Sequence, residues 1–254
     1  MIQSFCPVEK VAQVADNVFV LTFVSPVIAR QIAPGQFLNI KADDSTEPLL
    51  RRPFSVYRSH GDYVEIIFNV VGKGTSALRK KQPGDSIDVL GPLGVPFSFT
   101  DDFELAVLVG GGLGVAPLPI LTVMLSRRSI PTITFLGART VSQLVTSHLT
   151  NLHIATDDGS TGFHGNVVEL MKAKTDDCAS GKSKIFACGP TPMLRAVADF
   201  SLKMNILCVV SLEGPMACGF GICQGCPVEL VGDDKKYGLM CKDGPTFDVR
   251  TIRI

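Results

Sequence analysis

The chain has 254 residues, with 24 Lys+Arg against 24 Asp+Glu and 46% hydrophobic residues. A formal net charge of zero argues against a general nucleic-acid binder, which needs excess cations to displace counterions from phosphate. Charged residues at 19% and a mean hydropathy of +0.29 exclude a disordered chain, and the length suits one large or two small domains with sizeable cores.

The first residues, MIQSFCPVEK, lack the basic start and apolar run of a signal peptide, so secretion is not expected and the chain reads as cytoplasmic. From Val8 to about Val95, short strand-like runs (18–23, 36–40, 63–68 and 86–90) alternate with turn signals such as Pro34-Gly35 and Pro83-Gly84-Asp85. That spacing predicts an antiparallel barrel. Within it lies Leu50-Arg51-Arg52-Pro53-Phe54-Ser55-Val56-Tyr57, whose paired arginines alone suit a solvated strand edge. Further on comes Asn69-Val70-Val71-Gly72-Lys73-Gly74-Thr75-Ser76, where a strand ends in glycines and hydroxyls before a helix candidate at 76–81. Such an arrangement offers N–H groups to a phosphate, and the planar donor fork of Arg52 suits the same anion.

Residues 105–125 carry no charge and are long enough to cross a bilayer. Gly110, Gly111, Gly112, Gly114, Pro117 and Pro119 would break a lone helix in lipid, so a buried strand, a glycine turn and a packed helix are expected, with no membrane span. Strand candidates at 132–136, 152–156, 184–187 and 206–210 alternate with helix candidates at 141–148, 166–172 and 192–203. This pattern predicts a doubly wound parallel sheet. Gly111, Gly112 and Gly114 suit either a dinucleotide pyrophosphate or close helix–strand packing. Asp157-Asp158-Gly159 and Cys188-Gly189-Pro190 each follow a strand, at the carboxyl ends where such sheets bind ligands. A solvated turn would equally account for the aspartates, and core packing for Cys188. Two carboxylates beside a nucleotide disfavour a 2′-phosphate and point to NAD, although Arg139 at another strand end works in the opposite direction.

Four of the eight cysteines fall between 218 and 241. Cys218, Cys223, Cys226 and Cys241 form C-x4-C-x2-C…C, the plant-ferredoxin type of spacing for an iron–sulfur cluster. Gly219, Gly221 and Gly225 let the intervening backbone curl and turn N–H groups toward sulfur. Zinc sites usually present two close pairs, whereas Cys223-x2-Cys226 is the single close pair here; disulfides are disfavoured in a cytosolic chain. A [2Fe–2S] cluster is therefore expected. Met216, Phe220, Ile222 and Pro227 surround it as partner contacts or as simple shielding.

Arg52-Pro53-Phe54-Ser55 followed by Gly72-Lys73-Gly74-Thr75 resembles the FAD barrel of the ferredoxin–NADP reductase superfamily. The resemblance implies FAD held by Arg52, Pro53, Phe54 and Ser55, with Ile67, Phe68 and Asn69 on the next strand and Gly74 and Thr75 at the pyrophosphate. It also implies an NAD half in which Cys188 neighbours the nicotinamide. Ser211-Leu212-Glu213, Met216-Ala217-Cys218-Gly219 and Cys241-Lys242-Asp243-Gly244-Pro245 resemble the iron–sulfur flavoprotein subunit of two-subunit, NAD-dependent dihydroorotate dehydrogenases. That likeness extends over nearly the whole chain and implies a barrel at 1–99, an NAD domain at 100–210 and a short cluster segment at 211–254. It further implies an FMN-containing catalytic partner in a two-plus-two heterotetramer, with electrons passing from FMN through [2Fe–2S] and FAD to NAD in pyrimidine biosynthesis. No residue here stands out for acid–base chemistry on dihydroorotate, so that step is assigned to the partner. Two other classes remain open at this point: a reductase subunit of the sulfide dehydrogenase or ferredoxin oxidoreductase type, and a non-enzymatic zinc-binding module.

Overall fold

A computed structural model describes residues 1–42, 46–178, 182–232 and 236–254. Six strands, β1 (Ile2–Ala15), β2 (Val18–Val24), β3 (Phe37–Lys41), β4 (Arg52–His60), β5 (Tyr63–Asn69) and β6 (Ser86–Leu93), close into an antiparallel barrel in the order β1-β2-β5-β4-β3-β6. Two short helices belong to it, α1 (Pro26–Gln31) and α2 (Lys73–Arg79). The two-residue period of a strand sorts the side chains of β3: Leu38 and Ile40 fill the barrel with Leu21, Phe23 and Ile66, while Phe37 and Asn39 face outward. Both faces of β3 are nevertheless buried, because a second layer covers the outside.

The second layer is a sheet. Strands β7 (Leu105–Gly111), β8 (Thr132–Ala138), β9 (Leu152–Thr156), β10 (Phe163–His164), β11 (Ser183–Cys188) and β12 (Leu207–Ser211) are mutually parallel and run in the order β10-β9-β8-β7-β11-β12. Ala106 and Leu108 of β7 face helix α3 (Leu118–Arg127), whereas Val107 and Val109 face α4 (Val167–Ala173) and α6 (Thr191–Met204). A one-turn helix, α5 (Thr175–Cys178), follows α4. The start of α4 is fixed by reciprocal capping: Asn166 Oδ1 accepts from Val168 N and Glu169 N, and the Glu169 carboxylate accepts from Asn166 N.

Beyond β12 come a hairpin of β13 (Pro227–Glu229) and β14 (Tyr237–Leu239), a turn of helix α7 (Met240–Asp243) and β15 (Thr246–Asp248). β15 adds to the edge of the large sheet, antiparallel to β12. The segment after Val210 is thus woven into the sheet as well as carrying the clustered cysteines.

The helix expected over 141–148 is a single 3-10 turn, Val141–Gln143. Its valines, serines and threonine favour helix weakly, and the N–H of Val141 is already donated to Ser160 Oγ at 2.8 Å. Helix α2 starts three residues before the expected position because Thr75 Oγ1 accepts from the N–H groups of Val71 and Gly72 and so caps it.

The two layers share cores. Phe37 and Leu93 of the barrel belong to the same cluster as Val109, Ala187 and Phe247 of the sheet. The stretch joining β6 to β7 is held down by Lys184, whose buried ammonium pairs with Asp101 and donates to Ser98 O at 2.8 Å. Among the described residues no helix is long and apolar enough to cross a membrane.

Candidate flavin and iron–sulfur site

A cavity of about 300 Å³ opens where barrel and sheet meet. The barrel contributes Pro53, Phe54 and Ser55 from β4, Ile67, Phe68 and Asn69 from β5, and Thr75 from α2. Arg52 and Gly74 stand just outside, side by side in an adjoining cleft, where a Cβ at Gly74 would lie 3.5 Å from Arg52 Cγ. The opposite wall is Leu113, Leu212, Glu213, Met216 and Pro245, which the sequence motifs do not assign to the flavin. The signal that would have found Leu212 and Glu213 is their position directly after the carboxyl end of β12, the ligand edge of a parallel sheet.

The walls are apolar, with few polar groups, as flat aromatic ligands require. Asn69 Oδ1 is buried with no hydrogen-bond partner among the described residues. An acceptor held this way matches the ring N–H that an isoalloxazine presents, so the residues present fit a flavin. Glu213 still reaches solvent through the cavity, yet protein crowds it enough that burial raises its carboxyl above the ordinary value; the thiol of Cys188, donating at 3.6 Å, partly offsets this. Cys188 is fully buried behind Glu213, its thiol pushed well up by burial and by that carboxylate, and it does not line the cavity.

The other expected nucleotide residues lie on the same carboxyl edge of the sheet. Gly114 is required by packing, since a Cβ there would stand 2.0 Å from Cys188 O; one at Gly111 would meet Met193 Sδ at 2.5 Å. Gly112, at φ +56, has open space on its Cβ side and is the glycine of this turn that a ligand can approach. Gly189 and Pro190 form the facing turn, where a Cβ at Gly189 would come within 3.1 Å of Gly111 N. Asp157 and Asp158 project from the end of β9 into solvent. A hydrogen bond from Ser160 holds the Asp158 carboxyl below its ordinary value, and Gly159 turns the chain at φ +71.

The four clustered cysteines come together as two pairs. The hairpin of β13 and β14 sets Cys226 beside Cys241, sulfur to sulfur at 3.3 Å, with Met240 N donating to Cys226 O. Cys223 N donates to Cys218 Sγ at 3.5 Å, and Gly221 N to Cys241 Sγ at 3.2 Å. Gly219 and Gly221, at φ +82 and +88, provide the curl that aims these N–H groups. Burial acts to raise the Cys218 thiol, but N–H donors from Cys223, Phe220 and Ile222 outweigh it and bring it down to about 6. Burial and the neighbouring Cys226 push Cys241 up. Donors aimed at sulfur stabilise thiolates, the form that binds iron. Two thiol pairs with backbone N–H groups aimed at sulfur are a donor set that fits a two-iron cluster, two thiolates to each iron.

Residues 5–97 match the oxidoreductase FAD-binding domain family, and residues 213–253 match the iron–sulfur cluster binding domain of dihydroorotate dehydrogenase B. Together with the barrel, the sheet and the cavity between them, these matches define a flavin- and iron–sulfur-containing oxidoreductase with a ferredoxin-reductase type of fold. The chain is 37% identical over 244 residues to the "Dihydroorotate dehydrogenase B (NAD(+)), electron transfer subunit" of Bacillus caldolyticus, covering 92% of both chains. It is 35% identical to the protein of the same description from Lysinibacillus sphaericus, covering 95% of both. Among solved structures, a chain of the NADH-dependent reduced ferredoxin–NADP oxidoreductase, described for flavin-based electron bifurcation, superposes with a TM-score of 0.82 at 28% identity, covering 98% of this chain and 90% of that one. The chain belongs to the family of electron transfer subunits of NAD(+)-dependent dihydroorotate dehydrogenase B.

Proposed function

We propose that this chain relays electrons between an FMN-containing dihydroorotate dehydrogenase subunit and NAD, serving pyrimidine biosynthesis in the cytoplasm as half of a two-plus-two heterotetramer. One observation carries the reading: the flavin cavity and the thiol loop share walls, because Met216 lines the cavity two residues before Cys218 and Pro245 lines it four residues after Cys241. When bound, FAD supplies hydride exchange with nicotinamide and a [2Fe–2S] cluster supplies single-electron transfer.

The residues divide the work. Pro53, Phe54, Ser55, Ile67, Phe68 and Asn69 hold and orient the flavin ring, with Arg52, Gly74 and Thr75 toward its phosphates. Gly112 admits the dinucleotide, between Gly111 and Gly114 on one side and Cys188, Gly189 and Pro190 on the other. Asp157 and Asp158, on the turn that Gly159 makes, disfavour a 2′-phosphate by charge. Cys218, Cys223, Cys226 and Cys241 ligate the cluster. Glu213 places a carboxyl at the cavity wall, with the Cys188 thiol donating to it from behind. We divide the chain into a barrel at 1–99, a nucleotide domain at 100–210 and a cluster segment at 211–254; the family matches over 5–97 and 213–253 support the first and the last.

The test is Cys226→Ser in the complex with its catalytic partner. FAD content stays at the wild-type level, iron and labile sulfide fall, and dihydroorotate-dependent reduction of NAD is lost, while NADH still reduces an artificial dye. Unchanged iron content and turnover overturn the reading.

A further inference from the structure

Asn39 lies on the outer face of β3, flanked by Leu38 and Ile40, which fill the barrel. It is fully buried, at 0% exposure. Its Nδ2 donates to the backbone carbonyl of Cys218 at 2.9 Å, linking residues 179 positions apart, while Oδ1 has no partner among the described residues. A buried amide satisfied on one side only is unfavourable, and barrel packing would be served as well by an apolar side chain. The satisfied side is the one turned to the thiol loop.

The loop also rests directly on this amide. Gly219 follows Cys218 at φ +82, and a Cβ there would stand 2.3 Å from Asn39 Nδ2. On the barrel side, Asn39 is in register with Pro53 of β4, and Phe37 with Ser55. Phe37, Pro53 and Ser55 all line the flavin cavity. One short strand therefore carries the cavity wall at position 37 and the support of the thiol loop at position 39, about 7 Å apart along the strand.

We propose that Asn39 is a positioning residue for the iron–sulfur cluster: by pinning the Cys218 carbonyl to β3 it fixes the spacing between cluster and flavin. Electron tunnelling falls exponentially with that spacing, so a small displacement of the loop registers as a rate. Groups that orient metal ligands and limit solvent access also tune cluster potentials. The proposal rests on Cys218 being a cluster ligand, as assigned above.

The experiment uses the full chain, purified anaerobically with its cofactors. Asn39→Leu keeps the side-chain size and removes the amide. FAD, iron and sulfide content, the electron paramagnetic resonance spectrum of the reduced cluster, its midpoint potential and the rate of cluster reduction by NADH are compared with wild type. FAD content is expected to hold, the spectrum to shift, and cluster reduction to slow about tenfold or more. Loss of iron with FAD retained also supports the proposal, whereas a wild-type spectrum and rate overturn it. If Asn39→Leu does not fold, Asn39→Ala, which removes the amide without adding bulk, decides by the same readouts, and joint loss of FAD and iron there overturns it. Cys218→Ser separates the two claims, since wild-type iron content in that variant defeats the ligand assignment instead.

Discussion

Among the described residues Glu213 is the only ionisable side chain in the cavity wall, and its carboxyl holds its proton more tightly than an unfolded glutamate would, chiefly through burial. Its contribution to stability is therefore full below the ordinary glutamate value and is lost as pH rises through the raised one. Glu213→Gln is expected to flatten that part of the pH–stability curve, measured by urea unfolding, and to lower NADH-to-dye turnover about tenfold or more. Cys188→Ala removes the thiol donor that favours the carboxylate, so it should move the same transition to higher pH; no movement would detach Cys188 from Glu213. Cysteine spacing marks the proposed cluster ligands in the sequence, because four thiols must meet in a short loop. Glu213 and Asn39 have no such spacing: one is a lone polar residue just after an apolar strand and the other a lone polar residue within one, and only the folded chain shows what each faces.

The glycine turn after β7 had two sequence readings, and the structure divides them among its members. Gly114 abuts backbone at Cys188, which cannot yield, whereas Gly111 abuts the flexible thioether of Met193. Gly114→Ala is expected to destabilise by about 3 kcal/mol and Gly111→Ala by about 1 kcal/mol or less, read from denaturant midpoints. Equal costs would show that the two turns relax together. Apolar runs bounded by turn signals located most of the barrel and sheet strands. The long strand β1 escaped because its residues are largely exposed and its register shifts interrupt any clean alternation. The hairpin and β15 escaped because three-residue strands are too short to show a period.

The arrangement of barrel, parallel sheet and thiol segment followed from motif order, but how they adhere did not. Lys184 illustrates this: a lysine inside a strand reads as an edge residue, yet its ammonium is buried over the rings of Phe103 and Phe186 and tied to Asp101 and Ser98. Asp101→Asn leaves that charge without its carboxylate and is expected to cost about 2 kcal/mol, less than a fully enclosed pair because Asp101 keeps contact with water. Lys184→Met, which removes the charge itself, should cost less than Asp101→Asn in the same unfolding assay; the reverse order would mean that the pair is a net source of stability.

Phe37 and Leu93 spring from barrel strands but are packed as members of the sheet's interior, and Thr246 Oγ1 lies 2.9 and 3.0 Å from the carbonyls of Val95 and Pro96. A chimera that transplants the barrel from one reductase onto the nucleotide half of another would leave these aromatic and aliphatic groups facing a foreign surface. Exchangeable parts in such an enzyme have to be cut along that shared interior, with the strand after Pro245 travelling alongside the barrel's outer face.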